Sequence, residues 1–271
     1  MTPRTLLCVH AHPDDESLFT AGITSHYAEQ GVRVVLVTCT LGQLGIDDAG
    51  RAGADEGHDA LSTRATRAAE LQRAAALVGV TRLITLGFED SGMVGWPSNA
   101  APDAFMNADV ESTARIIADV IDQERASVVV TYDENGFYGH PDHVMANVVT
   151  RRAVEMSTCA QRLFYPVVPR SVLRSFVERA RSQGVFLPAW VRDAVADIAD
   201  DTVASVMDVT RFSARKQRAI ATHASQTDNA DLVTMDPQLF ELIFGTEYYQ
   251  FGWRRDISSL ACGEDLFGGL V

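Results

Sequence analysis

Thr5-Leu6-Leu7-Cys8-Val9-His10 is a short apolar run that breaks abruptly into Ala11-His12-Pro13-Asp14-Asp15-Glu16-Ser17. The run fits a buried strand, and the burst of imidazole and carboxylate groups fits a site at its carboxyl end. The same succession returns far downstream. Residues 126–132, with Val128-Val129-Val130 at their centre, read as a strand, and Tyr138-Gly139-His140-Pro141-Asp142-His143 follows them. Between the two turns, helical and strand-like segments alternate. Residues 17–30 read as a helix stopped by Gly31, residues 33–40 as a Val-rich strand, and residues 62–78 as a helix with Ser62 as N-cap and Gly79 as stop. Residues 82–86 read as a strand and 109–124 as a helix. Strands apolar throughout and separated by helices point to a parallel sheet covered on both faces. The expected fold is therefore α/β and Rossmann-like, mostly parallel, with helices on both faces and a smaller C-terminal lobe.

Past residue 160 the pattern weakens. Strands are expected at 161–168, 202–209 and 247–253, and helices at 171–181, 212–223 and 238–244. Residues 1–160 are read as the catalytic core and 161–271 as a smaller part completing the same domain. The stretches 42–61, with five glycines, and 89–106 read as surface loops of the length that often carries function.

The 271 residues are 46% hydrophobic, enough for a sizeable core. A net charge of −13 argues against binding nucleic acid or an anionic membrane through bulk electrostatics. No stretch approaches the roughly 20 apolar residues of a membrane span. The N-terminal apolar run is too short for a signal-peptide core. Cys8, Cys39, Cys159 and Cys262 are scattered without Cys-x-x-Cys spacing. No disulfide framework and a reducing, cytoplasmic setting are the expectation. Nothing in these patterns sets an oligomeric state.

The two turns carry the chemistry. His12, Asp15 and His143 offer two imidazoles and a carboxylate to one zinc ion, leaving a fourth position for water. Asp14, beside a ligand but projecting differently, suits the base that takes the water's proton. His140 suits the group that stabilises an oxyanion or protonates the leaving amine, and Asp142 the group that holds an imidazole in one tautomer. Zinc and iron both suit such ligands. Taken singly, the residues have plainer readings: Asp14-Asp15-Glu16 as an acidic helix start, Pro13 as a first-turn proline, and His26, His58 and His223 as ordinary polar residues. Those readings leave the repeated His-Pro-Asp unexplained. The turn after the first strand has no Gly-x-Gly-x-x-Gly, and no Gly-x-Ser-x-Gly occurs.

His12-Pro13-Asp14-Asp15-Glu16 together with His140-Pro141-Asp142-His143 resembles the paired signature of the LmbE/PIG-L zinc-dependent de-N-acetylases. Thr38-Cys39-Thr40-Leu41-Gly42, residues 86–93, residues 131–136 and His223-Ala224-Ser225-Gln226 resemble the mycothiol branch of that family, which holds an N-acetylglucosaminyl-inositol deacetylase and a mycothiol-conjugate amidase. The resemblance implies one Zn2+ held by His12, Asp15 and His143, with Asp14 as general base and His140 as charge-balancing acid. It implies that Tyr138 sits at the mouth near the amide carbonyl, and that Arg67 and Asp90 face the sugar. The expected partner is a small N-acetylated amino sugar. The chain departs from the branch at Gln43-Leu44-Gly45-Ile46, where acidic residues are usual. With Met93, Val94 and Trp96, these give the rim an apolar character suited to a larger aglycone.

Three functions compete at this level. The leading one removes an N-acetyl group from a 2-acetamido sugar, either a natural-product glycoside or N-acetylglucosaminyl-inositol. The second is an amidase cleaving a larger acyl group from an amino-sugar conjugate. The third is a non-catalytic binding module with a structural metal, which would need a fourth protein ligand and leave Asp14 without a role.

Overall fold

A computed structural model describes residues 4–182, 202–256, 263 and 265–270. One mixed sheet of seven strands, in the order β3-β2-β1-β4-β5-β7-β6, organises them. Its strands are β1 (Thr5–His10), β2 (Arg33–Thr40), β3 (Arg82–Phe88), β4 (Val128–Val130), β5 (Arg162–Val167), β6 (Val203–Asp208) and β7 (Thr246–Arg254). The first five run parallel, and β7 joins antiparallel between β5 and β6. Every residue of β1, β4 and β5 is buried, which explains the unbroken apolar runs of residues 6–9 and 128–130. The edge strand β6 alternates instead.

Successive β1 side chains face opposite layers. Leu7 and Val9 join Val35, Val37 and Val129 against Ile117 and Ile121 of α3 (Val110–Glu124) and Ala146 and Val149 of α5 (Pro141–Met156). Leu6 and Cys8 join Leu36, Val128 and Phe164 against Ile23 and Tyr27 of α1 (Ala21–Glu29) and Leu71 of α2 (Ala60–Val78). Each such fully buried aliphatic side chain contributes roughly 1.5–3 kcal/mol.

Several boundaries differ from expectation for local reasons. The first helix opens with a π-helical turn, Glu16–Thr20, before α1 begins. Asp59, not Ser62, caps α2, its carboxylate accepting the Ser62 N–H at 3.0 Å. The helix α5, which the strand-and-helix pattern does not mark, begins at Pro141 with His140 as its cap. Just before it, Gly136–Gly139 forms a single turn, α4.

The later residues extend the same sheet and add the helices α6 (Arg170–Ser182), α7 (Ser213–Thr222), α8 (Ala230–Thr234) and α9 (Pro237–Phe244); α7 packs against α1 and α2, and α8 and α9 pack against α7. The buried Glu247 of β7 ties α7 to the start of α1. Its carboxylate accepts the N–H groups of Gly22 (3.1 Å) and Ile23 (3.0 Å), the Lys216 ammonium (2.7 Å) and the Tyr249 hydroxyl (2.8 Å). It thereby satisfies donors at the start of α1 that have no partner within the helix. Gly22 is needed there, because a Cβ would lie 2.5 Å from Glu247 Oε1. Cys8, Cys39 and Cys159 are free thiols, and Cys262 lies outside the described residues. Among the described residues no helix is long and apolar enough to cross a membrane.

Candidate active site

The strand order reverses between β1 and β4, which pair through Leu6–Val128, Leu7–Val129 and Cys8–Val130. A crevice opens beyond the carboxyl ends of strands at such a point. The turns 11–16 and 131–143 leave the sheet at these two adjacent ends and meet there.

Hydrogen bonds fix the tautomers of the two buried imidazoles that meet Asp15. His143 Nδ1 lies 3.1 Å from the Gly136 carbonyl, which can only accept, so the ring proton sits on Nδ1 and Nε2 carries a lone pair. That Nε2 is buried, makes no hydrogen bond, and lies 3.4 Å from Asp15 Oδ1. His12 Nε2 lies 3.1 Å from Asp142 Oδ2, again an acceptor, which leaves the lone pair on Nδ1, 3.5 Å from Asp15 Oδ2. Gly136, at φ 63°, is sterically required, since a Cβ would lie 2.8 Å from His143 Cβ. Two lone pairs aimed at a carboxylate repel it unless a cation lies between them. The electrostatics agree: burial opposes protonation of His12, but Asp90, Asp142 and Asp15 outweigh it and raise its proton affinity well above the ordinary value. Burial likewise opposes ionisation of Asp15, but His143 and His12 outweigh it and hold its carboxyl well below the usual range. This donor set fits a divalent metal ion.

The surrounding groups hold these side chains in place. Asp15 Oδ2 accepts the His12 N–H (2.7 Å) and the Tyr132 hydroxyl (2.6 Å), leaving Oδ1 turned to His143. The Tyr132 oxygen in turn accepts the Ala11 N–H at 2.8 Å, and its ring stacks on His143 at 4.1 Å. Asp142 accepts the Ser91 N–H (2.9 Å) and hydroxyl as well as His12. Ligand-type atoms of His12, His140 and His143 lie within 4.8 Å of one another, as do those of His12, His140, Asp90 and Asp142. With both Asp142 oxygens committed to Ser91 and His12, the latter group is better read as a hydrogen-bonded support for His12 than as a second ligand set.

In front lies a cavity of about 380 Å³. Asp14 lines it, with Oδ1 3.4 Å from Arg67 Nη2 and Oδ2 3.5 Å from Asn229 Nδ2. Burial, reinforced by Asp15 and Glu16 and opposed by Arg67 and His223, pushes Asp14 up to about 6. His140 Nδ1 accepts the Asp142 N–H at 3.1 Å, so the neutral ring carries its proton on Nε2. Burial, with His12 and His143 nearby, pushes His140 down to about 2 and keeps it neutral. Tyr138 lines the mouth, 44% exposed, its ring 4.9 Å from that of His143. Arg67 is buried and spends its guanidinium on the carbonyls of Gly42 (2.8 Å) and Pro13 (2.5 Å) beside Asp14. Asp90 accepts from the N–H groups of Gly92 (2.8 Å) and Leu44 (3.2 Å) and also faces the cavity. Leu44, Ile46, Met93 and Trp96 form an apolar wall. Gln43 turns away and donates to Glu89 at 2.7 Å.

All the sequence-derived candidates therefore surround one cavity or its floor. The pattern missed Tyr132 and Ser91, although each sits within a segment that resembles the family. It also missed Asn229, which nothing in the sequence marks. His223 departs from the ordinary polar reading, for it is buried with Nε2 2.7 Å from Glu16 Oε1.

A buried cluster of His and Asp side chains that could hold a metal ion, a further carboxylate in the cavity and a pocket at the switch point of an α/β sheet outline the site of a hydrolase. The chain belongs to the family described as PIG-L: GlcNAc-PI de-N-acetylase, whose profile matches residues 7–154. It is 40% identical over 259 residues to a 1D-myo-inositol 2-acetamido-2-deoxy-alpha-D-glucopyranoside deacetylase from Acidothermus cellulolyticus, covering 91% of this chain and 88% of the relative. It is 38% identical to the enzyme of the same name from Thermomonospora curvata, covering 92% and 90%. Among solved structures, N,N'-diacetylchitobiose deacetylase from Pyrococcus horikoshii superposes with a TM-score of 0.60 at 19% identity, covering 92% of this chain and 84% of that one. A 4-carboxy-2-hydroxymuconate hydratase superposes equally well, TM-score 0.60 at 16% identity, over 95% of this chain and all of that one. The fold alone therefore does not choose the reaction.

Proposed function

We propose that this protein hydrolyses the N-acetyl group of a 2-acetamido sugar to a free amine and acetate, with N-acetylglucosaminyl-inositol as the substrate its relatives favour. The observation that carries the reading is the pair of imidazole lone pairs facing Asp15, with Asp14 beside them at the cavity floor. His12, Asp15 and His143 would hold one Zn2+. The ion supplies a Lewis acid and makes a nearby water easier to deprotonate. Asp14, near neutrality in its proton affinity, takes the proton of the attacking water and returns it to the leaving amine as the C–N bond breaks. His140 presents Nε2–H as a hydrogen-bond donor to the oxygen on which charge develops, without needing a second proton. Tyr138 at the mouth reaches the same carbonyl. Arg67 acts by fixing the Pro13 carbonyl and Asp14, and Asp90 by fixing the Leu44 segment and facing the sugar. The free thiols fit a reducing, cytoplasmic setting.

The apolar wall of Leu44, Ile46, Met93 and Trp96 favours a second substrate reading, the same amino sugar on a bulkier, less polar aglycone. Amine release from N-acetylglucosaminyl-inositol, from an N-acetylglucosamine glycopeptide and from a larger-acyl conjugate, each with and without zinc, tests both. Zinc-dependent turnover of the inositol compound is expected. Turnover of the glycopeptide alone selects the second reading, release of only the larger acyl group makes the protein an amidase, and no release from any removes the proposal.

A further inference from the structure

Glu16 ends the first motif and is a buried carboxylate that no step above uses. Its Oε2 accepts the backbone N–H of Asp14 at 3.0 Å. Its Oε1 lies 2.7 Å from His223 Nε2 and accepts the Ser17 hydroxyl at 2.6 Å. The first of these bonds matters because Asp14 has φ 103°, a conformation that a non-glycine residue keeps only where its surroundings impose it. From the other side, the Asp14 carbonyl accepts the N–H groups of Ser17 (2.9 Å) and Leu18 (3.0 Å). This backbone turn sends the Asp15 carboxylate to the imidazoles and the adjacent Asp14 carboxylate into the cavity.

His223 begins the segment that closes the cavity from the opposite side. Two residues on, Ser225 is fastened to Glu70 of α2 by its N–H (2.9 Å) and hydroxyl (2.7 Å). Asn229 then brings Nδ2 to 3.5 Å from Asp14 Oδ2. One carboxylate thus grips both the strained backbone of Asp14 and the segment that touches its side chain.

We propose that Glu16 and His223 are positioning residues for Asp14, setting the direction of its carboxylate in the cavity; this rests on the reading of Asp14 as the base. The Asp15 carboxylate has its own supports in Tyr132 and the His12 N–H, so the pair acts on the base and not on the metal. Misplacing a reacting group by about 1 Å costs up to ~100-fold in rate. In Glu16→Gln an amide with one acceptor oxygen replaces a carboxylate that takes three hydrogen bonds, so the Asp14 turn relaxes.

The test uses the zinc-loaded full chain and first establishes that the wild type deacetylates N-acetylglucosaminyl-inositol. Silence of the wild type on every N-acetyl sugar overturns the deacetylase reading and this proposal with it, before any variant is compared. With an active wild type, E16Q should lose about 10–100-fold in kcat, with KM changed by less than about threefold and zinc affinity unchanged. Adding E16Q to D14N should cost little more than D14N alone, because the pair acts through Asp14. H223Q, which keeps an N–H donor near the Nε2 position, should recover most of the activity that H223L loses. Wild-type kcat in E16Q, fully additive losses in D14N/E16Q, or zinc affinity falling in step with kcat would each overturn the assignment.

Discussion

His12-Pro13-Asp14 and His140-Pro141-Asp142 are the same tripeptide, each placed just beyond a buried parallel strand, and they fold in opposite ways. After β4 the tripeptide opens a helix. His140 is the cap and Pro141 occupies the first turn, where its missing N–H costs nothing. Asp142 is fully buried against Ser91 and His12. After β1 the tripeptide does not start a helix. Asp14 stands at φ 103°, helical structure begins only at Glu16, and Asp14 faces the cavity. The histidines diverge too: His12 aims its free lone pair at Asp15, whereas His140 caps α5 and presents an N–H donor. Residue type at a motif position does not assign a role. The partners that occupy each lone pair do.

This contrast can be broken most sharply at the two aspartates. Asp14→Asn should lose about 10²–10⁴ in kcat while still binding one zinc, since it removes a base and no ligand. A loss of zinc in step with activity, measured by atomic absorption, would make Asp14 a ligand and erase the distinction. His140→Ala should lose about 10²–10³ in kcat, again with zinc retained. Asp142→Asn should show the reverse pattern. Zinc affinity falls about 10–100-fold because a neutral amide replaces the charged acceptor that orients His12 and raises its basicity. At saturating zinc most of the activity returns, which a titration of rate against zinc would reveal. The smallest effect lies away from the site. Asp59→Ala removes the cap of α2 and should cost about 1 kcal/mol of stability in a urea melt, with kcat unchanged.

The sequence makes the core of the sheet legible because strands buried on both faces leave unbroken apolar runs, as β1 and β2 do. It makes the candidate metal ligands legible because they follow the ends of two such strands. It is weaker where spacing carries no chemistry. Ser62 looks like the cap of α2, but the chain bends so that Asp59 reaches the Ser62 N–H first. The helix α5 escapes notice because its opening residues read as a site rather than as a helix start. Tyr132 and Ser91 are unremarkable letters until the β1–β4 pairing and the 89–106 loop bring them against Asp15 and Asp142. The antiparallel insertion of β7 between β5 and β6 is decided by long-range pairing and by the buried Glu247, which no local pattern announces.

Wild type and Asp14→Asn, each assayed for bound zinc and for acetate release from N-acetylglucosaminyl-inositol, give the most direct test of the site. One zinc in both proteins, turnover in the wild type alone, and loss of that turnover on chelation is the predicted result. Full activity in the metal-free wild type, or wild-type turnover in Asp14→Asn, would contradict the proposed division of labour between His12, Asp15 and His143 as metal ligands and Asp14 as base.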